Sequence, residues 1–122
     1  MPGRTDGARR LLIVDDSEDL RELLCEFLEM LGYDPVALGD GEAALQRLRD
    51  GLKPELVLLD RQIPRLDGPG LLEAAGDELL GVPVIWMTGA EEVAPHRLVV
   101  ATLRKPFDLE ALEKAVRTHL PG

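Results

Sequence analysis

The chain has 122 residues, a length that fits one domain with a proper core and leaves little room for a second folded module. Its 23 acidic and 14 basic residues give a formal net charge of −9, which disfavours direct binding to nucleic acid or to anionic lipid. The single cysteine, Cys25, excludes an intrachain disulfide, and no apolar run reaches the about 18 residues of a membrane span. We therefore expect a soluble, cytoplasmic protein.

Short apolar runs alternate with amphipathic stretches along the chain, a pattern typical of an α/β fold. In chain order, the apolar runs predict strands at residues 11–14, 35–38, 56–59, 82–87 and 99–103. Apolar residues at helical spacing predict helices within residues 20–31, 42–49, 71–75 and 109–120. Asp16 or Ser17 is placed to cap the first helix, and Asp108 is placed to cap the last.

The five predicted strands are apolar at consecutive positions rather than alternate ones, which indicates burial on both faces. We therefore expect a five-stranded parallel sheet with helices on both faces. Residues 10–120 form this domain in our interpretation, and residues 1–9 are an N-terminal lead-in. In such sheets ligands bind beyond the carboxyl ends of the strands.

Polar side chains stand at the carboxyl ends of four predicted strands. They are Asp15, Asp16, Asp60, Thr88 and Lys105. Three carboxylates in one crevice repel one another unless a cation lies among them, and an oxygen-rich site suits Mg²⁺. A carboxylate beside such an ion, with an ammonium and a hydroxyl nearby, is equipped to accept a phosphoryl group. The product would be an aspartyl phosphate.

Five segments taken together resemble the receiver domain of two-component response regulators. They are Leu-Ile-Val-Asp-Asp at 12–16, Leu-Val-Leu-Leu-Asp at 56–60, Ile-Pro-Arg-Leu-Asp-Gly at 63–68, the run at 84–88 and Leu-Arg-Lys-Pro-Phe at 103–107. The resemblance extends over about residues 10–120 and implies the flavodoxin-like strand order 2-1-3-4-5.

The resemblance also implies roles for the acidic residues. Asp60 resembles the phosphoacceptor, Asp16 a direct metal ligand, and Asp15 the acid that holds a metal-bound water. Gln62 matches the position whose backbone carbonyl completes the metal shell, so that Asp15, Asp16, Asp60 and Gln62 would hold Mg²⁺.

Three further positions match the receiver pattern. Thr88 resembles the hydroxyl that moves toward the phosphoryl group, Lys105 resembles the cation that pairs with it, and Pro106 matches a proline that follows a cis bond. The implied function is a switch that takes a phosphoryl group on Asp60 from a histidine kinase or phosphotransfer protein and alters a surface for an unknown protein target. Beyond its own phosphorylation and slow autodephosphorylation, no enzymatic activity is expected.

Two departures from the receiver pattern bear on the output surface. Many family members have Tyr or Phe three residues before the lysine, where this chain has Thr102. The stretch from Thr88 to Lys105 is short and contains Pro95, so the fourth helix should be short, displaced or absent. We predict that the loop at residues 89–98, rather than a rotating ring, becomes ordered on phosphorylation.

Alternative functions remain open at this point. A receiver-like adaptor would keep the fold and the acids but signal by binding alone, without phosphate. A more remote alternative is a nucleotide-binding α/β domain, because Gly-Asp-Gly-Glu-Ala-Ala at 39–44 fits the dinucleotide pattern. Its two acidic side chains would oppose a pyrophosphate. Trp86 is predicted to be a core residue, and Cys25, His96 and His119 have no partners at ligand spacing.

Overall fold

The protein, described by a computed structural model for residues 7–89 and 95–121, forms a parallel sheet flanked by helices. In chain order the elements are β1 (Arg10–Val14), α1 (Glu18–Met30), β2 (Asp34–Leu38), α2 (Gly41–Arg49), β3 (Leu56–Asp60), α3 (Gly68–Ala74), β4 (Val84–Thr88), β5 (Val99–Arg104) and α4 (Leu109–His119). All strand pairs are parallel, and the order β2-β1-β3-β4-β5 confirms the predicted topology.

Each helix begins at a side chain that accepts a hydrogen bond from the first turn. Ser17 Oγ accepts from the Leu20 N–H at 3.2 Å, so Ser17 rather than Asp16 is the cap of α1. Asp40, Asp67 and Asp108 cap the other three helices in the same way. These bonds satisfy donors that a helix start leaves unpaired, which explains why the helices begin where they do.

The core consists of two aliphatic layers on opposite faces of the sheet. Helices α2 and α3 cover one face, where Leu48 and Leu71 pack among buried strand residues. Helices α1 and α4 cover the other face, where Leu28 and Val116 are buried. The prediction of helices on both faces is confirmed, and no helix in the described part of the chain is long and apolar enough to cross a membrane.

Burial differs between the middle and the edges of the sheet. Strands β3 and β4 are buried along their whole length, as consecutive apolar residues predict. The prediction of burial on both faces does not hold for the edge strands: β2 is half-buried, and β5 alternates between half-buried and exposed positions over most of its length. Each edge strand has a neighbour on one side only, so its side chains receive less cover.

The connection between β4 and β5 is where a fourth receiver helix would lie. Residues 90–94, half of the loop for which we predicted ordering, fall outside the described residues. In the described part of that connection, residue 89 and residues 95–98, there is no helix. His96 joins this connection to α3, since its Nε2 lies 2.8 Å from Glu73 Oε2.

Candidate functional site

Three acidic side chains meet at the carboxyl edge of the sheet. Asp15 and Asp16 follow β1, and Asp60 ends the neighbouring strand β3. One carboxylate oxygen from each lies within 4.8 Å of the other two. Asp15 is fully buried and Asp60 is 8% exposed, whereas Asp16 is open to solvent. The predicted cluster is therefore formed, with one acid facing the surrounding water.

Local backbone bonds fix the two buried carboxylates. Asp15 Oδ1 accepts from the Ser17 N–H at 2.9 Å, and Asp60 Oδ1 accepts from the Gln62 N–H at 2.9 Å. Both are bonds to the amide two residues further on, a turn that Asp favours at the end of a strand. Arg21 Nη1 also donates to the Asp15 carbonyl oxygen at 2.8 Å, which ties α1 to the site.

Lys105 joins the two buried acids. Its Nζ lies 2.6 Å from Asp15 Oδ2 and 3.1 Å from Asp60 Oδ2, although the lysine is 90 and 45 positions away from these residues in sequence. The Lys105 N–H donates to the Thr88 carbonyl oxygen at 2.8 Å, which extends the β4–β5 pairing to the site. The peptide bond to Pro106 is cis, as the resemblance implied.

Burial and hydrogen bonding both shift the pKa values of Asp60 and Lys105. Burial raises the pKa of the Asp60 carboxyl, and the hydrogen bonds from the Gln62 N–H and from Lys105 offset part of the rise. Burial opposes the charged form of Lys105, but the hydrogen bonds to Asp15 and Asp60 outweigh it and raise the pKa of the ammonium. Lys105 therefore remains a cation at the site.

Thr88 lies at the end of β4, beside β3. Its strand neighbour Met87 pairs in register with Asp60, and Thr88 itself is only 3% exposed. The structure thus brings Thr88 to the same rim as the acids. The motion of its hydroxyl toward a phosphoryl group stays a prediction.

The donor set fits a hard divalent cation. Among the described residues it consists of carboxylate oxygens, without sulfur or nitrogen ligands, and Asp16 opens it to solvent. Mg²⁺ binds oxygen ligands and keeps several of its waters, so it suits a cluster of this kind. The Gln62 N–H bonds Asp60, and the role of the Gln62 carbonyl as a ligand stays a prediction.

One residue of this region was missed by the sequence analysis. Arg61 follows the predicted acceptor directly and lines a cleft of about 470 Å³ next to the acidic cluster. The other residues that line the cleft are Asp16, Gln62, Ile63, Pro64, Asp67 and Pro69. An arginine directly after the acceptor was the available signal, but a single basic residue in a loop does not reveal whether it has a partner.

A further pocket of about 270 Å³ has Trp86 and Thr102 among its lining residues. Trp86 is a core residue as predicted, with 1% exposure. Thr102 is exposed at the position where many receivers carry an aromatic ring. His96 also lines the pocket and accepts a hydrogen bond from the Leu98 N–H at Nδ1, so its role here is to hold the loop.

Fold and site together define a flavodoxin-like α/β protein with an acidic centre at the carboxyl edge of its sheet. The model of the response regulator receiver domain matches residues 11–117. The chain belongs to this family of two-component signal transduction.

Relatives and solved structures agree with this assignment. The DNA-binding response regulator MtrA of Mycobacterium tuberculosis is 32% identical over 117 residues, which is 92% of this chain and 50% of MtrA. The regulatory protein PhoP of Bacillus subtilis is 36% identical over 84 residues, 69% of this chain and 35% of PhoP. The receiver domain of the hybrid histidine kinase CckA is 31% identical with a TM-score of 0.82, covering 92% of this chain and 99% of that one.

A second solved structure agrees in fold. It is the receiver domain of the sensor histidine kinase PA1611 of Pseudomonas aeruginosa, with a magnesium ion coordinated in its active site cleft. It has a TM-score of 0.81 at 21% identity and covers 93% of this chain and 98% of that one. The chain spans about half the length of the curated relatives it matches.

Proposed function

We propose that this domain is a phosphoacceptor switch in which Asp60 takes a phosphoryl group from a histidine kinase or a phosphotransfer protein. The observation that carries the proposal is the contact of one lysine with two buried carboxylates beside a third, exposed one. A nucleophile, a cation and an oxygen-only metal-binding cluster are the parts that phosphoryl transfer needs, since catalysis there is mainly positioning and charge stabilisation.

Each residue of the site has its own role in the proposed phosphoryl transfer. An oxygen of the Asp60 carboxylate attacks the phosphorus, and the bond between phosphorus and the donor breaks, with its electron pair leaving on the donor. The Gln62 N–H holds Oδ1 of Asp60 in place, and Lys105 lies beside Oδ2, ready to pair with the incoming phosphoryl oxygens. Asp15, Asp16, Asp60 and the Gln62 carbonyl would hold Mg²⁺, which offsets negative charge on the phosphoryl group when bound.

The switch would act through residues that already contact the acceptor. Once Asp60 carries a phosphoryl group, Lys105 exchanges a carboxylate for a phosphoryl oxygen, and the Thr88 hydroxyl is the nearby neutral donor at the end of the next strand. Because Lys105 also bonds the Thr88 carbonyl through its backbone N–H, the ends of β4 and β5 respond together. Beyond its own phosphorylation and dephosphorylation, the domain has no enzymatic activity in this proposal.

A protein partner has a surface to bind next to Lys105. An apolar groove of about 480 Å³ runs between α1 and the start of α4, and its lining includes Leu20, Leu23, Phe107 and Lys105. Leu23 is 48% exposed, so the groove offers unburied apolar surface beside the reacting residues. The cytoplasm is the expected location, since the ATP that charges a histidine kinase is found there.

Acetyl phosphate with Mg²⁺ tests this function without a cognate kinase. Intact mass spectrometry should show one phosphoryl adduct on the wild type and none on Asp60→Asn. Asp50→Asn is the matched control, because Asp50 is an exposed acid that belongs neither to the acidic cluster nor to the cleft. Absence of an adduct on the wild type would favour the phosphate-independent adaptor, and equal labelling of Asp60→Asn would place the acceptor elsewhere.

A further inference from the structure

The backbone of Arg61, directly after the acceptor and at the edge of the cleft, is held in place by its contacts with Gly68. Its carbonyl oxygen accepts from the Gly68 N–H at 3.0 Å. A Cβ at Gly68 would lie 2.9 Å from Arg61 Cα, 3.0 Å from the Asp60 carbonyl oxygen and 2.7 Å from the Trp86 ring. The close packing of Gly68 therefore pins the backbone from which the Arg61 side chain enters the cleft.

The guanidinium of Arg61 lacks the partner that its neighbours have. Its Nε is buried without a hydrogen-bond acceptor, and no carboxylate in the described part of the chain pairs with it. Lys105 is bonded to two carboxylates and Arg21 to a carbonyl. Arg65, on the same loop, lies 3.6 Å from Asp40. The buried Nε lies out of reach of a ligand, but the Arg61 side chain is half-buried, lines the cleft and has no carboxylate partner among the described residues. Its positive charge is therefore available to an anion that binds in the cleft.

The acidic charge of the site disfavours the binding of an anion unless a further cation such as Arg61 takes part. Three carboxylates face a single ammonium, and the remaining acid of the cleft, Asp67, is negative as well. Mg²⁺ bound in the cluster would, together with Lys105, balance only the three cluster carboxylates, so a phosphoryl dianion at this rim would still lack a positive partner of its own. A planar guanidinium can supply that charge and bond two of its oxygens at once.

We propose that Arg61 is the residue that binds the phosphoryl group of the donor in the cleft before transfer, an inference that rests on the function proposed above. The ligand is a phosphoryl dianion, whether carried by an acyl phosphate or by a phosphohistidine. In the transfer step Asp60 forms the new bond to phosphorus and the donor takes the electron pair of the old bond. Arg61 holds the oxygens of the group and neither gains nor loses a proton.

The first test compares Arg61→Gln with Arg65→Gln. Both remove one positive charge from the same loop, but Arg65 is exposed and paired with Asp40. With acetyl phosphate and Mg²⁺, the second-order rate constant for labelling should fall about tenfold in Arg61→Gln, as expected for a lost charge-assisted hydrogen bond, and less than about twofold in Arg65→Gln. Equal losses in the two variants would reduce the effect to loop charge and overturn the proposal.

A second phosphoryl donor tests whether Arg61 contacts the phosphoryl group or the rest of the donor molecule. Phosphoramidate has a phosphorus–nitrogen bond, like phosphohistidine, and lacks the acetyl group. Arg61→Gln should slow labelling by both donors to a similar extent. A loss confined to acetyl phosphate would mean that Arg61 contacts the acetyl group, and the proposal would be wrong.

A binding measurement keeps this inference separate from the proposed function. In the Asp60→Asn background, which has no acceptor, inorganic phosphate with Mg²⁺ is titrated against the chain and followed by NMR. The double variant Asp60→Asn, Arg61→Gln should bind phosphate about tenfold more weakly than the single variant Asp60→Asn. The double variant Asp60→Asn, Arg65→Gln should bind it as tightly as the single variant. If wild type is never labelled yet this difference appears, the acceptor proposal fails and the anion site stands. If wild type is labelled and the difference is absent, only the role of Arg61 fails.

Discussion

Asp60 is the more distant of the two buried carboxylates from Lys105. Lys105 lies closer to Asp15, at 2.6 Å, than to Asp60, at 3.1 Å. Burial prevails at Asp60 and raises the pKa of its carboxyl despite the bonds from Lys105 and Gln62. The residue that must carry a negative charge to act as a nucleophile is thus held in a place that disfavours the charge.

The raised pKa of Asp60 predicts how the free energy of unfolding of the metal-free protein depends on pH. Because the pKa of Asp60 is raised on folding, the folded state binds its proton more tightly than the unfolded state, so this residue's contribution to stability falls as pH rises above the unfolded carboxyl pKa of about 4. Asp60→Asn removes the ionisation and keeps an oxygen to accept hydrogen bonds. Urea unfolding in EDTA should show the variant more stable than wild type at neutral pH by about 1 kcal/mol, with a smaller gap in acid.

The matched control for this series is Asp34→Asn, a partly buried acid paired with Arg10 far from the cluster. It should lower stability rather than raise it at neutral pH, because it breaks an ion pair. A gap between Asp60→Asn and wild type that stays constant with pH would contradict the assigned cause.

The candidate residues at strand ends could be predicted from the sequence because each follows a short apolar run. That local signal placed Asp15, Asp60 and Lys105 at one rim, and the structure confirms their contact. Arg61 could not be found in this way. Whether an arginine is paired depends on residues that tertiary folding brings near it, and no spacing in the chain encodes that.

At the level of elements, the loop after β3 is held against the start of α2. The Gly41 N–H donates to the Pro64 carbonyl oxygen at 3.2 Å, and the Leu66 N–H donates to the same oxygen at 2.8 Å. Arg65, between Pro64 and Leu66, has a φ of 72°, in the left-handed region that a non-glycine residue adopts at a cost. The acceptor loop thus depends on a close approach to α2.

Gly41→Ala tests that approach. A Cβ there would lie 1.9 Å from the Leu66 carbonyl oxygen, which is backbone and cannot turn aside, so the loop or the first turn of α2 must move. We expect a loss of about 2 to 3 kcal/mol in the free energy of unfolding. Gly76→Ala is the control, since its Cβ would meet nothing closer than 3.7 Å and should change stability by less than about 0.5 kcal/mol. Similar losses in the two variants would show that general glycine replacement, not this contact, is responsible.

The elements themselves were largely predictable, for reasons that the structure makes plain. Caps at Ser17 and Asp108 and the buried runs of β3 and β4 are local signals, and each is confirmed. The strand order came from the resemblance, because hydrophobic runs do not specify which strands are neighbours. The weaker burial of β5 follows from that order, so the run at residues 99–103 did not reveal it.

At the scale of the whole molecule, the site exists only when the sheet is complete. Lys105 lies 90 positions from Asp15 and 45 from Asp60, so no local segment can assemble their contact. The chain also carries a net charge of −9 and gathers three of its carboxylates within 4.8 Å. A cation that binds this cluster therefore binds the folded chain and not the unfolded one, and it stabilises the fold by mass action.

Mg²⁺ should accordingly raise the stability of the wild type, by about 2.7 kcal/mol when its concentration is 100 times its dissociation constant. Asp16→Asn should lose most of this gain, because Asp16 is a cluster acid that lies open to solvent. Without metal the same variant should be at least as stable as wild type, since it removes one of three repelling charges. Asp19→Asn is the control, an exposed acid in the first turn of α1 outside the cluster, and it should keep the full gain. Thermal unfolding across a Mg²⁺ titration measures all three proteins, and equal stabilisation of Asp16→Asn and Asp19→Asn would mean that the metal binds elsewhere.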